Sequence, residues 1–309
     1  MDRNQIPVQF NRSNSAAIAR AGGPAFERMI WITQARCLLL CVVAMWLATG
    51  CGGQQRRVDE AAAAAAFTKI AIRGAQFAHV AYIAEAPDSR SPIWVYVDGD
   101  GVPWINETIP SSDPTPRTLV ALDLMAVGPR PAIYLGRPCY FGTAARPPCE
   151  PVWWTHRRFS PEVVTSMVAS LHRLIIERKW EGRRLNLVGF SGGGTLATLM
   201  AARMDRVCAL ITLASPLDVE EWAASRGYSP LVGSENPARL PPLPGDLRQL
   251  HLRADRDQVV SPENGAEFRR RNPAAQLRVV TNVDHGLAWV VVWEDLLKKK
   301  TDAAIADCS

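Results

Sequence analysis

The sequence predicts an α/β protein with a mostly parallel central sheet and helices on both of its faces. Three observations point there. Short apolar runs recur along the chain, and helical segments separate most of them. One such run passes through a glycine-rich turn directly into a helix. From Cys51 to Ser309 the chain has 259 residues, the length of one α/β domain rather than two.

Taken in order, residues 77–84 read as the first strand. Residues 93–97 (Ile-Trp-Val-Tyr-Val) follow by β-propensity and run into Asp98-Gly99-Asp100-Gly101. A strand at 132–135 precedes a loop rich in Pro and Gly, and a helix is expected over 161–178. Residues 185–189 form a short buried strand, with a helix over 195–203 behind it. Later strands are expected at 208–213, 250–252 and 277–280, with a helical stretch beyond the last. The 218–247 segment carries Trp222, Tyr228 and prolines from Pro230 to Pro244. It is too short for a lid domain and reads either as part of an acyl pocket or as a long connection. The alanine run 61–66 is either a short helix or a spacer.

The turn Gly189-Phe190-Ser191-Gly192-Gly193 is a G-x-S-x-G match between a strand and a helix, the arrangement of a nucleophile elbow. The serine there takes a strained backbone angle, and a side chain at Gly189 or Gly193 would collide with neighbouring elements. A serine nucleophile needs a base and an acid. In enzymes built on this elbow they follow it in the order acid, then histidine. Of the five histidines, only His251 and His285 come after Ser191. His251 sits in an alternating run, Gln249-Leu250-His251-Leu252, and reads as a strand residue. His285 lies in a loop and is followed by Gly286, which suits a base reaching the serine. For the acid, Ala254-x-x-Asp257-x-x-Val260 matches a G-x-x-D-x-x-V turn with alanine in the glycine place. Asp257 is therefore the expected acid, with Asp218 the alternative. Asp255 suits a turn-stabilising role, and Asp284 is too close in sequence to His285. The oxyanion hole is expected from the N–H of Gly192 and, after the strand at 93–97, the N–H of Asp100.

From about residue 78 to 297 the chain resembles a bacterial α/β-hydrolase of the lipase, esterase and serine-peptidase superfamily. It is similar in particular to proteobacterial envelope lipoprotein hydrolases. Beyond the elbow, the segments that carry this resemblance are Val97-Asp98-Gly99-Asp100-Gly101, Asp113-Pro114-Thr115-Pro116, Gly136-Arg137-Pro138-Cys139 and Trp154-Thr155 with Arg158-Phe159-Ser160. The resemblance implies the α/β-hydrolase fold without a large lid domain and a Ser-His-Asp mechanism. It implies no substrate. The expected function is cleavage of a carboxylic ester or related acyl bond through an acyl-enzyme. The alternatives are a peptidase or amidase using the same residues, or a non-catalytic protein with a binding or envelope-assembly role.

The first fifty residues read as a signal region. Residues 37–49 form a 13-residue run without charge, preceded by Arg28 and Arg36, and Met29 would give a more conventional leader. The run ends in Leu47-Ala48-Thr49-Gly50-Cys51, which resembles a lipoprotein signal with Cys51 as the lipidated residue. The expected organisation is a signal region at 1–50, a lipidated N-terminus and linker at 51–76, and the hydrolase domain at 77–309. The expected location is the cell envelope, facing the periplasm and tethered to the outer membrane, because Gly52 departs from the familiar aspartate retention signal. In that oxidising compartment Cys139 and Cys149 should pair, stabilising the domain by roughly 2–3 kcal/mol. Cys208 reads as an inert core residue, with pairing to Cys308 the less favoured alternative.

The signal region holds five arginines against Asp2 and Glu27, so about +2 of the formal +5 charge is left for the rest. Those charges are dispersed, which argues against a nucleic-acid partner. No cofactor, no metal site and no internal repeat is indicated. The expected partners are an acyl substrate and a membrane, and the sequence leaves the oligomeric state open.

Overall fold

The computed structural model describes residues 53–86 and 90–299. The expectations for the signal region, Met29, Cys51 and residues 51–52 of the linker lie outside the described residues.

An eight-stranded sheet organises the domain, with strand order β1-β2-β4-β3-β5-β6-β7-β8. Its strands are β1 (Thr68–Arg73), β2 (Ala78–Ala84), β3 (Ile93–Val97), β4 (Ala132–Leu135), β5 (Leu185–Phe190), β6 (Val207–Leu213), β7 (Arg248–Ala254) and β8 (Gln276–Val280). Only β2 runs against its neighbours; every other pairing is parallel. The central strands β3, β4 and β5 are buried at every position. That is why β3 and β4 appear in the sequence as unbroken apolar runs, and β5 as a run interrupted only at Asn186, rather than as alternating ones.

Helices cover the sheet: α1 (Gly53–Ala64), α2 (Val120–Val127), α3 (Pro161–Glu177), α4 (Gly192–Ala201), α5 (Val219–Ser225), α6 (Ala266–Arg271) and α7 (Ala288–Lys299). Ser160 starts α3, accepting from the Val163 N–H, and Pro161 occupies the first helical position, where no N–H is needed. In α7, Trp289 and Trp293 are fully buried, and Trp293 meets Trp94 and Tyr96 edge-on at 5.8 and 6.3 Å. No helix among the described residues is long and apolar enough to cross a membrane.

The domain begins earlier than residue 77, which corrects the linker expected at 51–76. Residues 53–64 are helical, and Val58 and Ala62 of α1 are buried in the core. Strand β1 pairs with β2 along its whole length, from Thr68↔Ile83 to Arg73↔Ala78. The alanine run is thus mostly helix, α1 ending at Ala64. The 218–247 segment forms α5 and a short 3₁₀ turn, Pro237–Arg239, with no separate lid domain. Cys208, expected as a free core thiol, is instead disulfide-bonded.

Candidate active site

The carboxyl ends of β3, β5, β7 and β8 bring together the residues singled out in the sequence. Parallel α/β sheets place their sites at this edge. The buried strand β5 leaves the sheet at Phe190. Ser191 then takes φ 52° and ψ −130°, a conformation that L-residues rarely adopt. The glycines make this turn possible. A Cβ at Gly189 would lie 2.3 Å from Gly194 Cα, and one at Gly193 would lie 2.1 Å from the Val97 carbonyl oxygen.

His285 comes from the loop between β8 and α7. One of its ring nitrogens, Nε2, is 2.9 Å from Ser191 Oγ, and the other, Nδ1, is 2.7 Å from Asp257 Oδ2. Phe190 packs against the imidazole, with centroids 5.0 Å apart. The Asp257 side chain is fully buried. Its Oδ1 accepts from the N–H groups of Val259 and Val260 at 2.7 and 2.9 Å, which leaves Oδ2 aimed at the histidine. Trp222 of α5 donates to the Val259 carbonyl at 2.9 Å and packs on Val260, so α5 braces the acid turn.

The other acidic candidates have different places. Asp218 caps α5, accepting from the Glu221 N–H at 3.1 Å and from Asn236 at 2.8 Å. Asp255 accepts from the Val283 N–H at 3.3 Å, a turn contact. His251 is a strand residue, bonded to Thr212 at 2.8 Å and packed on Phe268. Burial lowers its pKa to about 3, so it stays neutral.

On the opposite side of Ser191 the loop after β3 closes in. A Cβ at Gly99 would lie 3.1 Å from Ser191 Cβ, and one at Gly192 would lie 2.0 Å from Asp100 Oδ1. Asp100 is thus pressed against the residue that follows the serine. Among the described residues, neither the Gly192 N–H nor the Asp100 N–H donates within the protein.

Two arginines hold Asp100, and the sequence assigned them no role. Arg137 bonds Oδ1 and Arg158 bonds Oδ2 at 2.7 Å, and their side chains are only 3% and 7% exposed. Burial by itself would raise the Asp100 pKa; Arg158 and Arg137 outweigh it and hold the carboxyl below its usual range. Tyr140 donates to the Asp100 carbonyl at 2.8 Å. Arg137 also donates to the Arg158 carbonyl at 3.1 Å, and Arg158 to that of Thr155 at 2.6 Å. The Cys139–Cys149 disulfide, with Cα atoms 5.5 Å apart, closes the loop that carries Tyr140 and follows Arg137. Val102 donates to the Pro114 carbonyl at 3.0 Å, and Phe141 to Thr115 Oγ1 at 2.6 Å. The segments that carry the family resemblance therefore converge on one loop. Their recurrence together was the only sequence signal for the arginines.

Asp98, beside this loop, is buried and makes no close ion pair among the described residues. Burial raises its pKa to about 7, against hydrogen bonds from the N–H groups of Gly99 and Ala121 and from Tyr134. Among the described residues no group of three or more His, Cys, Asp or Glu could hold a metal ion.

No protein-family model and no curated protein matches the sequence. Solved structures do match the fold. One is a bacterial membrane phospholipase A described as a virulence factor, at 17% identity and TM-score 0.53, covering 88% of this chain and 99% of that one. An esterase from Pyrococcus furiosus matches at 13% identity and TM-score 0.52, over 76% of this chain and 92% of that one. A puromycin-hydrolysing peptidase of Mycobacterium tuberculosis matches at 17% identity and TM-score 0.52, over 75% of this chain and 38% of that one. On its strand order, its single antiparallel reversal at β2 and these likenesses, the chain has the α/β-hydrolase fold.

Proposed function

We propose that the protein is a serine hydrolase that cleaves a carboxylic ester or related acyl bond, acting as a lipoprotein in the cell envelope. The observation that carries this reading is the unbroken chain Ser191–His285–Asp257, with distances of 2.9 and 2.7 Å. Ser191 Oγ attacks the carbonyl carbon while His285 Nε2 takes its proton. Asp257, held by two backbone N–H groups, keeps the Nδ1–H tautomer and stabilises the imidazolium. The oxyanion forms against the N–H groups of Gly192 and Asp100. His285 then returns the proton to the leaving group, and water releases the acyl group by the same route.

Structures of this fold include a phospholipase A, an esterase and a peptidase, which supports acyl transfer as the reaction class. An ester is the first substrate to try, because esters need the least leaving-group activation.

The test is hydrolysis of short- and medium-chain p-nitrophenyl esters by the full chain, beside Ser191→Ala and His285→Ala. Each variant should lose about 10³-fold or more in kcat, and the double variant little beyond that, because the two residues act as a unit. A folded wild-type protein that neither turns over nor reacts with a fluorophosphonate would favour the binding role instead.

A further inference from the structure

The route of α1 says which way the domain faces. Strand β1 is antiparallel to β2, and β2 is antiparallel to β4, so β1 points the same way as β4 and β3. Helix α1 leads into β1 and folds back along it. Its 12 residues span roughly 18 Å, close to the length of a six-residue strand. The first turn of α1 therefore lies at the carboxyl edge of the sheet, the edge that holds Ser191. A direct contact confirms this placement. Gln54 donates to the Pro116 carbonyl at 2.6 Å, and Pro116 N lies 2.8 Å from where a Cβ of Gly101 would be. Gly101 follows Asp100. The described chain therefore enters the domain at this edge.

The same edge carries exposed apolar side chains. Residues 104–110 form a small hairpin, closed by a bridge between Trp104 and Pro110 and by the Ile105 N–H donating to the Ile109 carbonyl at 2.8 Å. Ile105 is 67% exposed and Ile109 52%, although nothing in the fold requires isoleucine at either position. Arg57 in the first turns of α1 and Arg117 next to Pro116 are exposed at this corner; Arg56 is exposed as well but pairs with Glu60 at 2.8 Å. Exposed cations beside apolar residues suit an anionic lipid surface. Glu107 at the hairpin tip would keep it at headgroup depth.

We propose that the Ser191 edge of the domain docks on a phospholipid bilayer, with the 104–110 hairpin seated in its interface through Ile105 and Ile109. The inference rests on the reading of Cys51 as the lipidated residue. An anchor at that point brings the active-site mouth down to the membrane. A substrate presented by the bilayer, an acyl amphiphile, then meets Ser191 without leaving the lipid phase.

The test uses the full chain as Ser191→Ala, so that binding is read apart from turnover. The protein is incorporated in vesicles of phosphatidylethanolamine and phosphatidylglycerol. An environment-sensitive fluorophore is placed at Ile105→Cys or, on the opposite edge ahead of β5, at Glu181→Cys. Brominated lipid should quench the first strongly and leave the second near its value in water. Equal quenching at both positions, or a chain that fails to associate with the vesicles, overturns the proposal. In the Ser191 protein, Ile105→Ser/Ile109→Ser should slow hydrolysis of a vesicle-embedded long-chain ester about ten-fold. Hydrolysis of soluble p-nitrophenyl butyrate should not change. Equal effects on both substrates would also overturn it. A wild type inactive on every ester would count against the hydrolase reading and leave the quenching result standing.

Discussion

The two sides of Ser191 are built in opposite ways. On the base side Asp257 is fixed by N–H groups two and three residues further along, so the acid and its support form one tight turn. On the oxyanion side Asp100 is fixed by side chains 37 and 58 residues away, both buried and both charged. Local hydrogen bonds hold the first, and a long-range ion cluster holds the second. A local turn folds its functional group into place almost automatically. A buried cluster is correct only if every partner arrives, because a missing one leaves a charge without compensation.

The comparison breaks most visibly at Asp257. Asp257→Asn should lower kcat about 10⁴-fold with little loss of stability, because the turn can still form but the histidine tautomer is wrong. Asp218→Asn, which touches the cap of α5 and Asn236 but not His285, should leave kcat near the wild-type value; steady-state kinetics on one ester separates the two. The other side should fail differently. Asp100→Asn keeps the backbone N–H but strands two buried arginines, so denaturant unfolding should show a loss of about 3–5 kcal/mol. Its kcat should fall while KM holds, since the donor is misplaced only for the oxyanion. A variant with normal stability would show that the arginines do not depend on Asp100.

A smaller effect is expected at the disulfide. Cys149→Ser should cost about 2–3 kcal/mol in chemical unfolding. It should also lower kcat more than a surface change of equal cost, because the loop that the disulfide closes carries Tyr140 and begins two residues after Arg137. The last effect is one of pH and concerns Asp98. Its folded pKa, raised to about 7, lies above the unfolded value, so the folded state binds the extra proton. Stability should then fall as pH rises from near 4 to about 7, by at most about 1.4 kcal/mol per pH unit. Asp98→Asn should flatten that slope in Tm measured against pH.

The central sheet was legible because buried parallel strands must be continuously apolar. The edges were not. In β1, Thr68, Lys69, Ala71 and Arg73 are exposed, and its apolar run is only Ile70-Ala71-Ile72, too short to mark a strand. Helix α1 is largely polar and sends only Val58 and Ala62 into the core. Helix α2 is short and apolar throughout its buried face, which makes it hard to tell from a strand by pattern.

The sequence by itself determined the elbow, the order of Ser191, Asp257 and His285, and the Cys139–Cys149 pair. Each rests on contacts between residues close in the chain or on a motif whose geometry is local. Only the tertiary structure decided that Arg137 and Arg158 belong to Asp100, that Asp218 is a cap, and that the N-terminal helix starts beside the active site. Those facts depend on which distant segments meet across the sheet edge. That meeting is set by strand order and direction, which no short stretch of sequence encodes.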